Sequence, residues 1–430
     1  MFSLVIAGTD AGWGDGGKGT VTDYLCAKFR PKYVIKEGGA QGSHGVFTNT
    51  GEKFNFSQWG CGSFHGIPTY LSPRMVISPT GLLNESDALK HCGFYDPFAM
   101  LSADPSCICA TPYHQIWSLI YEMLLRDAPH GTVGTGVGKA YRQAQTNPEF
   151  AIRAKDLCQK AILEAKLRAI REDVIARYAT VSPSDVLVAD IDTLTEQLAL
   201  LYDDNYFDDI LRRLLVVGEK LALVDYDDFI RNGHGTAVVE RSHGILTDHE
   251  YGFQPHVSEL RTLPRFCEGA LYDAGYTGRI VNLAIFRAYG VRHGAGPLPT
   301  QDNTLFADLP GSHKSENRWQ GKVRTGALDF MLLNYALSVH HFDGACLTWF
   351  DQILQRGNWP YCEDYPNIHH RLSDFQLRTA KPSIKYLELP DMHDSPQEMF
   401  AFCKDFLQQH INVPLRLLSY GARTMDKYFE

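Results

Sequence analysis

An apolar stretch, "SLVIAG" (3–8), runs almost directly into "AGWGDGGKGT" (11–20), and the residues that follow read as a helix. Strand, glycine-rich loop and helix in that order open many α/β units that bind phosphate, because glycines let backbone N–H groups close on an anion at a helix start. Gly12, Gly17 and Lys18 have the G-x-x-x-x-G-K spacing of a phosphate-binding loop. The fit fails one residue later. Where that motif has a Ser or Thr whose hydroxyl ligates Mg2+, this chain has Gly19. A metal ligand must then come from elsewhere, and Asp15 is the only carboxylate within the loop. The plainer reading of the stretch is a glycine-rich turn after a first strand, and the rest of the chain has to decide between the two.

Short runs rich in β-branched residues recur as "SLVIAG", "KYVIKEGG", "MVISP", "TAVVER", "CLTWF", "IKYLEL" and "PLRLLSYG". Helical stretches separate them, which predicts an α/β fold with a large, mainly parallel central sheet. Four of the strands end in glycine or polar loops: 12–19, 38–44, 240–244 and 419–421. Ligands bind at the carboxyl ends of such sheets, so these loops are expected to meet around one cleft. From about 147 to 228 the texture changes to long amphipathic runs, read as a helical insertion in a single domain spanning 1–430, its helices packing on each other. Two further segments, "RHGAGPLPTQD" (292–302) and "SENRWQGKVRTG" (315–326), are long polar loops of the kind that carry function.

The net charge of -9 argues against a protein that coats nucleic acid, while leaving room for a local basic pocket. Ten cysteines are scattered with no C-x-x-C pair, as in a reduced, cytoplasmic protein. No segment is long and apolar enough to be a transmembrane helix, and the N-terminal apolar run is too short for a signal peptide.

Five blocks taken in order, "GWGDGGKG", "EGGAQGSHG" (37–45), "GTVGTGVGKAY" (131–141), "VRHGAGPLPT" (291–300) and "KVRTGALD" (322–329), resemble the adenylosuccinate synthetase family, as does the closing "VPLRLLSYGART". The resemblance implies a ligase that joins L-aspartate to the six-position of IMP with GTP and Mg2+, and a homodimer. It makes Asp15 the base that removes the purine N1 proton and, with the Ser43 carbonyl, a ligand of Mg2+. His44 and Lys18 would stabilise the transferring phosphoryl group. The first loop (Gly12, Gly14, Gly16, Gly17, Lys18, Gly19 and Thr20), together with Trp349, Asp351, Ser419 and Gly421, would hold the donor nucleotide. Asp15, Gln41, Val133, His243 and Thr262 would line the substrate nucleotide, with His243, near the purine O6, also counted in the catalytic set. Lys322 and Arg324 would hold the aspartate carboxylates.

The chain departs from the family at Gly16 (Glu in the family), Ser43 (Gly), Val133 (Thr), His243 (Gln), Lys322 (Arg) and Trp349 (Lys), and the arginine sent across the family's dimer interface has no counterpart near "QTNPEF". Three readings follow. One is an adenylosuccinate synthetase that has drifted. Another resembles the phage branch of the family, acting on (d)GMP, for which ATP is an alternative donor. The third is a non-catalytic nucleotide binder, against which the retained Asp15, Lys18 and His44 argue.

Overall fold

The computed structural model describes residues 1–305, 318–368, 372–390 and 395–430. Among these, eleven strands form the central sheet: β1 (Leu4–Asp10), β2 (Tyr33–Gly39), β3 (Thr69–Ile77), β4 (Leu101–Ala103), β5 (Ile108–Cys109), β6 (Ala222–Leu223), β7 (Thr236–Gly244), β8 (Arg279–Arg287), β9 (Gly344–Thr348), β10 (Leu415–Ser419) and β11 (Lys427–Phe429). They lie in the order β11-β10-β9-β8-β1-β7-β2-β3-β4-β6, with β5 beside β3. Every pairing is parallel except the closing β10–β11 hairpin. The mainly parallel α/β sheet expected from the sequence is therefore present, and β1 sits in its middle.

One central strand is absent from the sequence expectations, and one expectation needs correction. "RIVNLAIFR" becomes β8, a direct neighbour of β1, although its arginine flanks hide it in a scan for apolar runs. "IKYLEL" is not a central strand. Its residues Ile384–Glu388 form the mostly exposed edge of a small separate sheet, antiparallel to Asn358–Cys362. Its alternation of apolar and polar residues suits an edge with one wet face better than a strand covered on both faces.

The helices after residue 147 are Lys160–Tyr178, Ile191–Tyr202 and Asp204–Lys220. Leu163, Leu167, Ile170 and Val174 repeat at helical spacing and are buried. They join Phe207, Ile210, Leu214 and Val217 in one apolar cluster that continues through Ile116 and Ile120 to Leu71 and Met75 of β3. Helical segment and sheet thus share a core. The irregular stretch 147–159 precedes these helices, and Ala222–Leu223 returns to the sheet as β6.

The helix Pro112–Leu124 is tied to the helix Val137–Thr146 by a buried imidazole. His114 Nδ1 accepts from the Thr111 N–H (3.0 Å), so its Nε2–H donates to Gln143 Oε1 (2.9 Å). Burial pushes this histidine down to about 4. The folded chain keeps it neutral where an unfolded one would take up a proton, so stability should fall as pH drops from about 6.5 towards 4, by up to about 1.4 kcal/mol per pH unit from this residue. Urea unfolding across that window should therefore be flatter for His114→Leu, whatever its absolute stability; an unchanged slope would exclude the assignment.

Candidate active site

The first loop is organised by a residue that precedes it. Asp10 ends β1 and accepts from the N–H groups of Gly12 (2.8 Å) and Gly16 (2.7 Å) and from Lys18 Nζ (2.8 Å). Both ion-pair partners are buried. A Cβ on Gly16 would lie 2.7 Å from Asp10 Oδ2, so the position that carries Glu in the family is here closed to any side chain. The glycine is required by the grip on Asp10. Gly12 and Gly14 likewise face the small apolar recess under the loop, while Gly17, Lys18, Gly19 and Thr20 face outward to the larger space.

The loops at the carboxyl ends of the strands do not enclose one cleft but two adjoining cavities. The first, of about 450 Å³, is lined by Gly17, Lys18, Gly19, Thr20, Trp349, Asp351, Ser419 and Gly421. The second, of about 300 Å³, is lined by Gly14, Gln41, Val133 and His243 together with the loop 130–139. Asp15, Lys18, Ser43, His44 and His293 line both. Both volumes lie in the range of small-molecule sites, roughly 300–1,000 Å³. The residues carried over for the donor and those carried over for chemistry thus come together, with the chemical ones at the junction.

Three predicted residues stand apart. Thr262 is buried, and its hydroxyl donates to Asp248 Oδ2 (3.1 Å), outside both cavity linings. Lys322 is exposed and lines neither cavity. Arg324 donates to the Gly294 carbonyl (2.7 Å) and to Gln301 Oε1 (3.1 Å), so its fork holds the 292–302 loop from behind. A cation of the neighbouring quoted block that does line the second cavity is Arg292, at the end of strand Gly290–Arg292; it packs 3.7 Å over the Trp13 ring and donates to the Pro297 carbonyl. Burial pushes its pKa down to about 9. Lys139, also on this wall, is brought to about 8 chiefly by burial. Residues 315–317 of the second polar loop lie outside the described residues.

At the junction, Asp15 Oδ2 pairs with His293 Nε2 at 2.5 Å, and its backbone carbonyl accepts from Arg287 Nε at 2.5 Å. Arg287 lies over the Trp349 ring (4.1 Å) and so joins the loop to the wall of the first cavity. His44 Nδ1 donates to Glu240 Oε1 (2.5 Å), and burial outweighs that contact to push the imidazole down to about 4. Gln41 Nε2 donates to His243 Nε2 (2.8 Å), while the Gln41 Oε1 is buried without a partner on the wall of the second cavity. Asp15, His243 and Trp349 have φ of 55°, 63° and 60°, left-handed values that side chains adopt only where the surroundings hold them. All three line the cavities.

Sequence reasoning missed Asp10, Glu240, Arg287, Arg292 and His293. Asp10 was hidden because it reads as the last residue of a strand; Arg292 and His293 lay inside a quoted block, where a glycine loop drew the attention. For Mg2+ the fit is good: the Asp15 carboxylate and the Ser43 carbonyl are hard oxygen donors on both linings, and Mg2+ takes few protein ligands and completes its shell with phosphate and water.

Such a sheet, with a glycine-rich loop between two adjoining cavities that share Asp15 and His44, has the form of an enzyme with two neighbouring small-molecule sites. The sequence profile of adenylosuccinate synthetase matches residues 5–427, and the chain belongs to that family, whose members are carbon–nitrogen ligases. It is 26% identical to the adenylosuccinate synthetase of Francisella philomiragia, covering 100% of this chain and 99% of that one. It is also 26% identical to the enzyme of Thermus thermophilus, covering 100% and 98%. Among solved structures it resembles fully ligated adenylosuccinate synthetase from Plasmodium falciparum, with a TM-score of 0.77, 18% identity and 99% of both chains covered. The succinoaminodeoxyadenylate synthetase of cyanophage S-2L, bound to dGMP and dATP, has a TM-score of 0.60 and 14% identity, covering 100% of this chain and 96% of that one. No helix among the described residues is long and apolar enough to cross a membrane.

Removing Asp10 should undo the loop. Asp10→Ala leaves the Lys18 ammonium buried without its partner, a change that costs about 3–5 kcal/mol in comparable buried pairs. Urea unfolding should register that loss and equilibrium dialysis a weakened triphosphate affinity; a variant of normal stability would show that the loop is held some other way.

Proposed function

We propose that the chain condenses L-aspartate with the 6-oxo group of a purine nucleoside monophosphate, IMP on the main reading, using GTP and passing through a 6-phosphoryl intermediate. The observation that carries this reading is the junction of two cavities at Asp15, Lys18, Ser43 and His44. The donor triphosphate belongs in the first cavity, beside Gly17 to Thr20 and Asp351. The monophosphate and aspartate belong in the second, whose wall carries Lys139 and Arg292.

The chemistry explains the residues. A 6-oxo group is an amide carbonyl and a poor leaving group, so it must become a phosphate ester before an amine can displace it. Asp15 takes the N1 proton, which makes O6 nucleophilic towards the γ-phosphorus. Lys18 and the loop N–H groups face the charge that develops on the phosphoryl oxygens, and His44 assists the later departure of phosphate. Mg2+ held by Asp15 and Ser43 would supply charge neutralisation at the donor phosphates. With Thr262 turned inward, its expected hold on the substrate phosphate passes in this proposal to the 130–139 loop and Lys139. Lys322 drops out as an aspartate ligand and Arg292 takes its place, with Arg324 supporting the loop. We also take the chain as one domain with its helical insertion, acting as a homodimer in the cytoplasm.

One observation favours the second reading, a ligase of the phage type that acts on (d)GMP with an adenine donor. Gln352 Nε2 donates to Asp351 Oδ2 (2.7 Å), which partly occupies the carboxylate expected to read guanine N1–H and the 2-amino group. Purified protein offered a panel of purine monophosphates, triphosphates and amino acids, with products identified by mass, separates the readings. IMP, GTP and aspartate should give adenylosuccinate; turnover of dGMP with ATP ahead of GTP would move the assignment to the second reading, and no product from any combination would overturn both.

Asp15→Asn should lower turnover by about 100-fold to 10,000-fold, the usual worth of a positioned base, with nucleotide affinities little changed. Near-normal turnover would remove Asp15 from its role. Arg292→Ala should raise the aspartate KM strongly while Lys322→Ala leaves it unchanged; steady-state kinetics with varied aspartate would reverse the assignment if Lys322 proved the sensitive one.

A further inference from the structure

Behind His44 lies a buried polar cluster that the proposed reaction does not use. Lys36 and Glu240 are register partners on the adjacent parallel strands β2 and β7, and their side chains meet at 2.9 Å. Both are fully buried, as is Cys61. Glu240 Oε1 accepts from Lys36 Nζ and from His44 Nδ1 (2.5 Å), and Oε2 accepts from the Cys61 N–H (2.8 Å). Lys36 Nζ also donates to the Trp59 carbonyl (2.9 Å). The network thereby joins several segments of chain: two central strands, the 57–62 loop and the residue that opens strand His44–Phe47.

His44, Cys61 and Glu240 offer ligand atoms within 4.8 Å of one another, a spacing that also suits a metal ion. The ammonium of Lys36 decides against it. A cation already sits 2.9 Å from the carboxylate, and both carboxylate oxygens are taken, so a divalent ion would enter against like charge and without a free anionic ligand. What the cluster does instead follows from the ring. A carboxylate can only accept, so His44 presents its proton on Nδ1 to Glu240 and turns its other nitrogen, Nε2, towards the cavities whose junction it lines.

We propose that Glu240, neutralised by Lys36, is a positioning residue for His44, fixing both the orientation and the tautomer of the ring so that Nε2 faces the junction of the two cavities, where the phosphoryl group is transferred. The inference rests on the proposed role of His44 in that transfer. Glu240 touches no substrate in it. Lys36 acts one step further back, balancing the charge that burial would otherwise make too costly to keep.

The test uses Glu240→Asp, which keeps the charge opposite Lys36 and withdraws the acceptor from the ring, alongside Glu240→Gln and His44→Gln. Thermal unfolding confirms that each variant is folded, and Glu240→Asp stands in if the Gln variant is not. We expect kcat of Glu240→Asp to fall about tenfold to a hundredfold, part of the usual worth of an acid–base group, with KM for both nucleotides within about twofold. Once His44 is Gln, adding Glu240→Asp should cost no further kcat, because the two act as one unit. Long-range 1H–15N spectra of 15N-histidine protein, with His44 assigned by its absence from His44→Gln, should show the Nδ1–H tautomer in the parent and a mixture in Glu240→Asp. If His44→Gln leaves turnover intact, the catalytic reading of His44 fails first. If His44→Gln is slow while Glu240→Asp keeps the parent kcat and tautomer, or if the double variant loses both factors in full, the positioning role is overturned and the reaction stands without it.

Discussion

One buried carboxylate holds the glycine-rich first loop in shape. Asp10, at the end of the central strand, receives two backbone N–H groups and the Lys18 ammonium, so the chain winds around it instead of around a bound phosphate. This explains a loop with more glycine than a phosphate-binding motif demands. A Cβ at Gly16 would meet Asp10 Oδ2, and one at Gly244 would lie 2.3 Å from the Gly12 carbonyl, so the glycines are places where backbone closes on carboxylate or on a neighbouring loop. Charge-assisted bonds in a dry site are strong, and breaking one leaves a buried ion behind. Lys18 is therefore anchored before any ligand arrives, and its charge reaches a phosphate already partly balanced.

The sheet order turns this local arrangement into a site. β1 lies between β8 and β7, so the loop after β1 is flanked by Arg287 at the end of β8 and by His243 near the end of β7. A register shift between β1 and β7 sets Asp10 beside Gly244, where a straight ladder would have placed another residue. The next strand out, β2, ends in the loop that carries Gln41, Ser43 and His44. Two cavities result because the first loop divides the space at the carboxyl ends of the strands, and the residues on the dividing wall face both.

The fold class was legible because buried parallel strands are short apolar runs that stop abruptly, and β1, β2, β7 and β10 do. β8 was not, since arginines at both ends of a strand look like surface when the strand's pairing is unknown. Of the candidate site, the loop residues Asp15, Lys18 and His44 line both cavities, and Trp349, Asp351 and Ser419 line the first. Thr262 and Lys322 do not, because a motif match carries the residue type but says nothing of which way the side chain turns: Thr262 turns to Asp248, and Lys322 to solvent. Glu240 and Arg287 were out of reach for another reason. Their partners, His44 and the Asp15 carbonyl, are 196 and 272 residues away in sequence, and no local pattern reports such contacts.

The charges left over after pairing say most about what the site receives. The chain as a whole is anionic, at -9, yet anionic ligands must be drawn into it. Lys18 is matched by Asp10, Lys36 by Glu240 and Arg142 by Glu259. Among the described residues, the cations on the cavity walls without a carboxylate in ion-pair contact include Lys139 and Arg292 in the second cavity and Arg287 in the first. Burial lowers the pKa of Lys139 to about 8 and that of Arg292 to about 9, so both keep their charge at neutral pH but hold it at a desolvation cost. An incoming carboxylate or phosphate would give these charges the partner they lack, so part of its binding free energy comes from ending that mismatch. A neutral ligand of the same shape gains nothing from it. That difference favours anions before any hydrogen bond reads their identity.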